Sequence, residues 1–170
     1  MMSSILTFIH DSLSLIAIGT GARVLFGLLA GELSDKWAVR FLESSVLASV
    51  TGLPFSTYHL LPMDKVSMLS IYVSGAVVLA WRKYHLAGVW CSIFAFATTV
   101  VLCLNVLVTT TQVFRFITTS QVLASAQAGP VLLATQFFVV ALFTVLGVLA
   151  VKKFHNDPVH SGLPGDLYHR

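Results

Sequence analysis

An all-α membrane bundle is the fold class this sequence predicts. The prediction rests on three observations: apolar runs long enough to cross a bilayer, polar turns between them, and very little charge. Of the 170 residues, 56% are hydrophobic and only 10% charged, with mean hydropathy +0.88. An ordinary soluble domain is roughly one-quarter charged, and a water-soluble fold could not hide so much apolar surface. In lipid every backbone polar group needs an internal partner, and the alternating pattern of barrel strands is absent, which leaves helices.

Runs of about 17 to 25 mostly apolar residues read as bilayer-crossing helices. Five are found, at about residues 13–30, 37–53, 66–81, 86–114 and 130–151. The first follows an N-terminus with no Lys or Arg ahead of the apolar run, so it is expected to stay as a helix rather than be cleaved as a leader. The turn GELSDK separates the first and second spans. GLPFSTYHLLPMDK, with Pro54 and Pro62, separates the second and third, and RKYH makes a tight third connection. Before the fifth span RFITTSQVLASAQAGP is small and polar, with Gly129 and Pro130 opening the helix. Residues 1–154 thus form the bundle and 155–170 a tail.

Basic residues set the orientation. Lys36, Arg40, Arg82, Lys83, Lys152, Lys153 and Arg170 fall on one side of the five spans, and Lys65 and Arg115 on the other. The richer side is expected in the cytoplasm, giving an outside N-terminus and a cytoplasmic C-terminus. Trp37, Trp81, Trp90 and Tyr84 gather near the same boundary and read as interface anchors. The expected location is a cell membrane, such as a bacterial inner membrane, crossed several times.

Within the first span, GTGARVLFGLLAG places Arg23 among apolar residues. Sliding the helix to free it would drag His10 and Asp11 into hydrocarbon. Arg23 lies about 15 Å along the axis from a turn centred near Leu33. Glu43 lies at a similar distance beyond that turn, so an intramembrane ion pair is expected, because a lone charge at the bilayer centre costs at least about 2.5 to 3.5 kcal/mol. Such a pair could fix helix register, relay protons or substrate, or meet another subunit or a lipid headgroup. Gly19 and Gly27 flank Arg23, and Gly27 with Gly31 forms a GxxxG that would let a neighbouring helix come close.

The fourth span carries Cys91, Thr98, Asn105 and Gln112 seven residues apart, with Thr109 beside them. Seven residues return to nearly the same direction, so this polar stripe should face other helices or a cavity. Asn105, Gln112, Gln136 and His59 are the candidate pocket. His10 and His59, with Asp11 near, belong at the outer surface, where a metal or, for His59, a haem is conceivable chemistry; no metal site is assigned. Cys91 and Cys103 point about 120° apart on one helix and cannot form a disulfide. His155, His160 and His169 in the tail lack the spacing of a metal motif.

There is no phosphate-cradling loop, no HExxH and no GxSxG. The expected role is a small non-enzymatic integral membrane protein, an accessory or structural subunit of a larger membrane assembly. The alternatives are a carrier or channel component with a polar path along Arg23, Glu43 and Asn105, and a quinone- or haem-binding anchor of an oxidoreductase. No particular cofactor is indicated. Expected partners are the lipid bilayer and either further copies or a larger complex; the net charge of +3 fits membrane anchoring rather than nucleic acid.

Overall fold

The computed structural model describes residues 2–52, 62–84, 86, 89–119 and 125–156. These form five helices: α1 (Met2–Ala30), α2 (Asp35–Gly52), α3 (Pro62–Val78), α4 (Val89–Thr119) and α5 (Ser125–Asn156). Each falls where the sequence places an apolar run, and no strand occurs among the described residues. Among the described residues three stretches are long and apolar enough to cross a membrane: Phe8–Ala30, Val89–Thr118 and Gly129–Lys153. α2 differs because Asp35, Lys36, Arg40 and Glu43 crowd its first half, and α3 is only 17 residues long.

α1 packs on α2, α2 on α3, α3 on α4, and α4 back on α1, which closes a four-helix ring; α5 lies against α4 and α1 from outside. The core of the ring is Leu28, Phe41, Val77, Phe94, Val101 and Leu102. It packs tightly at Gly21. A methyl group there would lie 2.6 Å from Phe41 Cε2 and 2.7 Å from Leu102 Cδ1, so only a glycine lets α2 and α4 approach α1 this closely. On the far side of α4, the missing side chain of Gly147 makes room for Thr99. α5 is otherwise peripheral, with 11% of its most apolar window buried against 44% for α4.

The glycines act differently from the sequence expectation. Gly19 has open space around it, so no helix approaches there. Gly27 and Gly31 instead build the end of α1. Gly31 adopts φ 79°, its N–H donates to the Leu28 carbonyl at 3.2 Å, and Glu32 N–H donates to the Gly27 carbonyl at 2.8 Å. These two bonds satisfy carbonyls that the helix end would leave orphaned, and the left-handed residue between them favours glycine. The GxxxG is therefore a helix stop.

Two boundaries also depart from expectation. The RKYH connection begins inside a π-helical turn, Leu79–Lys83, which continues α3; Tyr84 N–H donates to the Leu79 carbonyl and Leu86, at φ 56°, donates to the Ala80 carbonyl. A wide turn of this kind has no apolar periodicity to announce it. α5 starts at Ser125, so Pro130 sits within the helix instead of opening it. Ala126, Gln127 and Ala128 are good helix formers, which carry the helix beyond the apolar run that marked the span.

One end of the ring is basic and aromatic. Tyr84 stacks on Trp90 with centroids 3.7 Å apart, Arg40 lies over Trp37 at 5.1 Å and Arg82 over Trp81 at 5.7 Å. The Trp81 indole N–H donates to Asp35 Oδ1 at 3.3 Å, tying the π turn to the start of α2.

Candidate functional site

A seam of small polar side chains runs through the apolar ring. Ser14 of α1, Ser45 and Ser49 of α2, Ser70 and Ser74 of α3, and Thr98 and Asn105 of α4 are all buried. Away from water a hydroxyl needs a partner, and Ser/Thr side chains in helices commonly donate to the carbonyl four residues back. Ser44, Ser49 and Thr99 do so, at 2.7, 2.9 and 2.8 Å. Asn105 reaches farther. Its Nδ2 donates to the Val101 carbonyl at 2.9 Å and to Ser45 Oγ on α2 at 3.2 Å, joining opposite walls of the ring. The hydroxyls of Ser74, Thr98 and Thr109 are buried without a hydrogen-bond partner.

The polar stripe of α4 thus faces inward at Thr98 and Asn105, as its seven-residue spacing implies. Beside Asn105 lies a cavity of about 20 Å³, lined by His10, Ser14, Ser49 and Ser70 among others, large enough for one water molecule. A second, larger cavity of about 260 Å³ opens between α1 and α4. It is lined by His10, Asp11 and Ser14 of α1 and by Thr109, Gln112 and Phe116 of α4, with Leu15, Val108 and Val113 completing the wall. The antiparallel register explains its position. α1 and α4 touch at Gly21 and Leu102; counting seven residues from each leads to Ser14 and Thr109, where α1 no longer has a glycine to close the gap.

His10 departs most from the sequence expectation. The residue is packed between the helices, 7% exposed, and lines both cavities instead of standing free at a surface. Its Nδ1 lies 2.9 Å from the Ala48 carbonyl oxygen and 3.4 Å from Thr51 Oγ1. A carbonyl only accepts, so Nδ1 carries the proton, and in the neutral ring Nε2 is the acceptor. His10 sits on the same stripe of α1 as Ser14, Ala17 and Gly21, at intervals of three and four. That periodicity is the available signal, masked by the polar HDS triplet that reads as an end of the span.

The remaining candidates are dispersed. Gln112 lines the larger cavity and Asn105 the smaller. Gln136 leaves the ring altogether: it sits on α5 and its Nε2 donates to Thr111 Oγ1 on α4 at 3.2 Å. His59 lies outside the described residues. Among the described residues no three His, Cys, Asp or Glu side chains gather as metal ligands.

Arg23 and Glu43 are not brought together. Both side chains are exposed, no ion pair joins them, and each lies on the face of its helix opposite the core. Their levels differ as well. Gly21 packs against the Phe41 ring and His10 reaches the Ala48 carbonyl, which centres the hairpin before Leu33, so Arg23 is displaced toward the turn and Glu43 away from it. A single polar path along Arg23, Glu43 and Asn105 is not formed, since the first two face out and the third in.

Comparison with known protein families, with curated proteins and with solved structures gives no match, so the use of this site rests on its own geometry.

Proposed function

We propose that this chain is a small non-enzymatic integral membrane protein that serves as an accessory or structural subunit of a larger membrane assembly. In this reading it crosses a cell membrane five times, with its N-terminus outside and the basic, aromatic end of the ring at the cytoplasmic face. The observation that carries the proposal is the outward position of Arg23. Arg23 lies on an exposed face of a candidate span, among exposed Ile16, Gly19 and Phe26, about 10 Å from the end of the helix at Ala30. In a lone copy that guanidinium would face acyl chains or have to bend toward the interface. Charges within a span instead pair or face protein, which a neighbouring subunit would provide.

The sparse burial of α5 supports the same reading. Phe137 and Phe138 are exposed along it, together with Leu133, Val145 and Leu149, an apolar face free to meet lipid or another helix. The carrier alternative gains no comparable support, because its three named residues do not share a face.

The test is the mass of the particle extracted from native membranes in a mild detergent and measured by native mass spectrometry. A species well above the 18.4 kDa of one chain is expected, either a homo-oligomer or a complex with other membrane proteins. A stable bare monomer would contradict the proposal.

A further inference from the structure

The larger cavity has a chemistry that the subunit proposal does not use and that stands independently of it. We propose that the cavity between His10 of α1 and Gln112 of α4 binds the ring of a lipid-soluble quinone.

Three properties select this class of ligand. The first is an unsatisfied donor. Thr110 and Thr111 return their hydroxyls to the carbonyls of Val106 and Leu107, at 2.7 and 2.9 Å, whereas the Thr109 hydroxyl beside them is buried without a partner on a residue that lines the cavity, where a turn about its Cα–Cβ bond would present it to a ligand. A buried polar group left unpaired costs free energy, so the site gains when a ligand supplies an acceptor. Gln112 and Ser14 add neutral donors to the same wall.

The second is charge. No Lys or Arg lines the cavity, and Asp11 does. A phosphate or a fatty-acid carboxylate would enter next to Asp11 with no Lys or Arg to receive it. A neutral ring with carbonyl acceptors meets no such penalty and uses the hydroxyl and amide donors directly.

The third is shape. The volume of about 260 Å³ exceeds the ~150 Å³ that accepts benzene and lies just below the ~300 Å³ of small ligand pockets, so a substituted ring fits and a long tail does not. The tail has an exit. Leu15, Val113 and Phe116 form an apolar rim, 62%, 50% and 74% exposed, on the outside of the ring of helices. An isoprenoid chain leaving over these side chains would stay in the hydrocarbon.

The experiment is calorimetric titration of the full chain, in phosphatidylcholine nanodiscs, with a decyl-tailed dimethoxy-methyl-benzoquinone. Saturable one-to-one binding is expected. Thr109→Val removes one hydroxyl with little change of shape, and Gln112→Leu removes the amide; each is expected to weaken binding about fivefold, the loss of roughly one hydrogen bond. Leu15→Trp, which plugs the rim, is expected to abolish binding. Circular dichroism checks that each variant is folded, and Thr109→Val carries the comparison if the bulkier change does not fold. Absence of saturable binding to the parent would overturn the inference, as would binding unaffected by Thr109→Val and Gln112→Leu. Oleate binding that is tighter than the quinone's and sensitive to the same substitutions would also overturn it, assigning the cavity to a lipid.

Discussion

Gly21→Leu is expected to be the most damaging single change in the bundle, with a loss of about 3 kcal/mol. At this position α1 meets two partners at once: even a methyl group would stand 2.6 Å from Phe41 Cε2 and 2.7 Å from Leu102 Cδ1. Both partners are side chains and could in principle move. Phe41 is 1% exposed and Leu102 2%, however, so neither has space to turn into. Removing a helical glycine gains up to about 1 kcal/mol of helix propensity, too little to offset overpacking of about 1 to 3 kcal/mol or more. Thermal unfolding in detergent, followed by circular dichroism, measures the effect, with Gly21→Ala falling between parent and leucine variant. Gly19→Ala is the internal control. Nothing lies within 4 Å of that site, so its unfolding temperature is expected to match or slightly exceed the parent's. Equal stability of Gly21→Leu and the parent would mean that α1, α2 and α4 do not converge there.

Gly27→Ala is expected to cost about 2 kcal/mol through the backbone rather than the core. The new methyl would lie 2.7 Å from the Glu32 carbonyl oxygen, which belongs to the turn itself and cannot rotate away as a side chain can. To relieve the contact the turn must open, and the 2.8 Å bond from Glu32 N–H to the Gly27 carbonyl lengthens or breaks. Asp35, which accepts from the Trp81 indole, starts α2 just after this turn, so the strain would reach the α3 end as well. Tryptophan fluorescence during unfolding is therefore expected to shift along with helix content. A variant as stable as the parent in both signals would contradict the tight helix stop.

Element type is legible in the sequence because apolar runs in lipid leave the backbone one solution. The stripe through Thr98 and Asn105 is legible for a related reason: polar residues seven apart on an apolar helix have one direction to face. What the sequence conceals is register. A one-residue error in the centre of the α1–α2 turn moves paired positions by about 3 Å relative to each other, because both helices shift. Counting from Leu33 matches Arg23 with Glu43, whereas the contact of Gly21 with Phe41 sets the true level. Their direction is concealed too. Most of α1 is apolar on every side, so the stripe of His10, Ser14, Ala17 and Gly21 is a faint cue to its inward face. His10 is hidden because its helix begins at Met2, well ahead of the apolar run. The cavity depends on where α1 and α4 stop touching, a property of two helices that neither reveals alone.

The most direct test of the subunit account uses a photoreactive amino acid at position 23, with a second at the buried Thr98 as reference. After illumination of intact native membranes, position 23 is expected to give a protein adduct of higher mass, and position 98 only links within the chain. Lipid adducts alone from position 23 would mean that this face meets the bilayer, contradicting the assignment of the chain to a larger assembly.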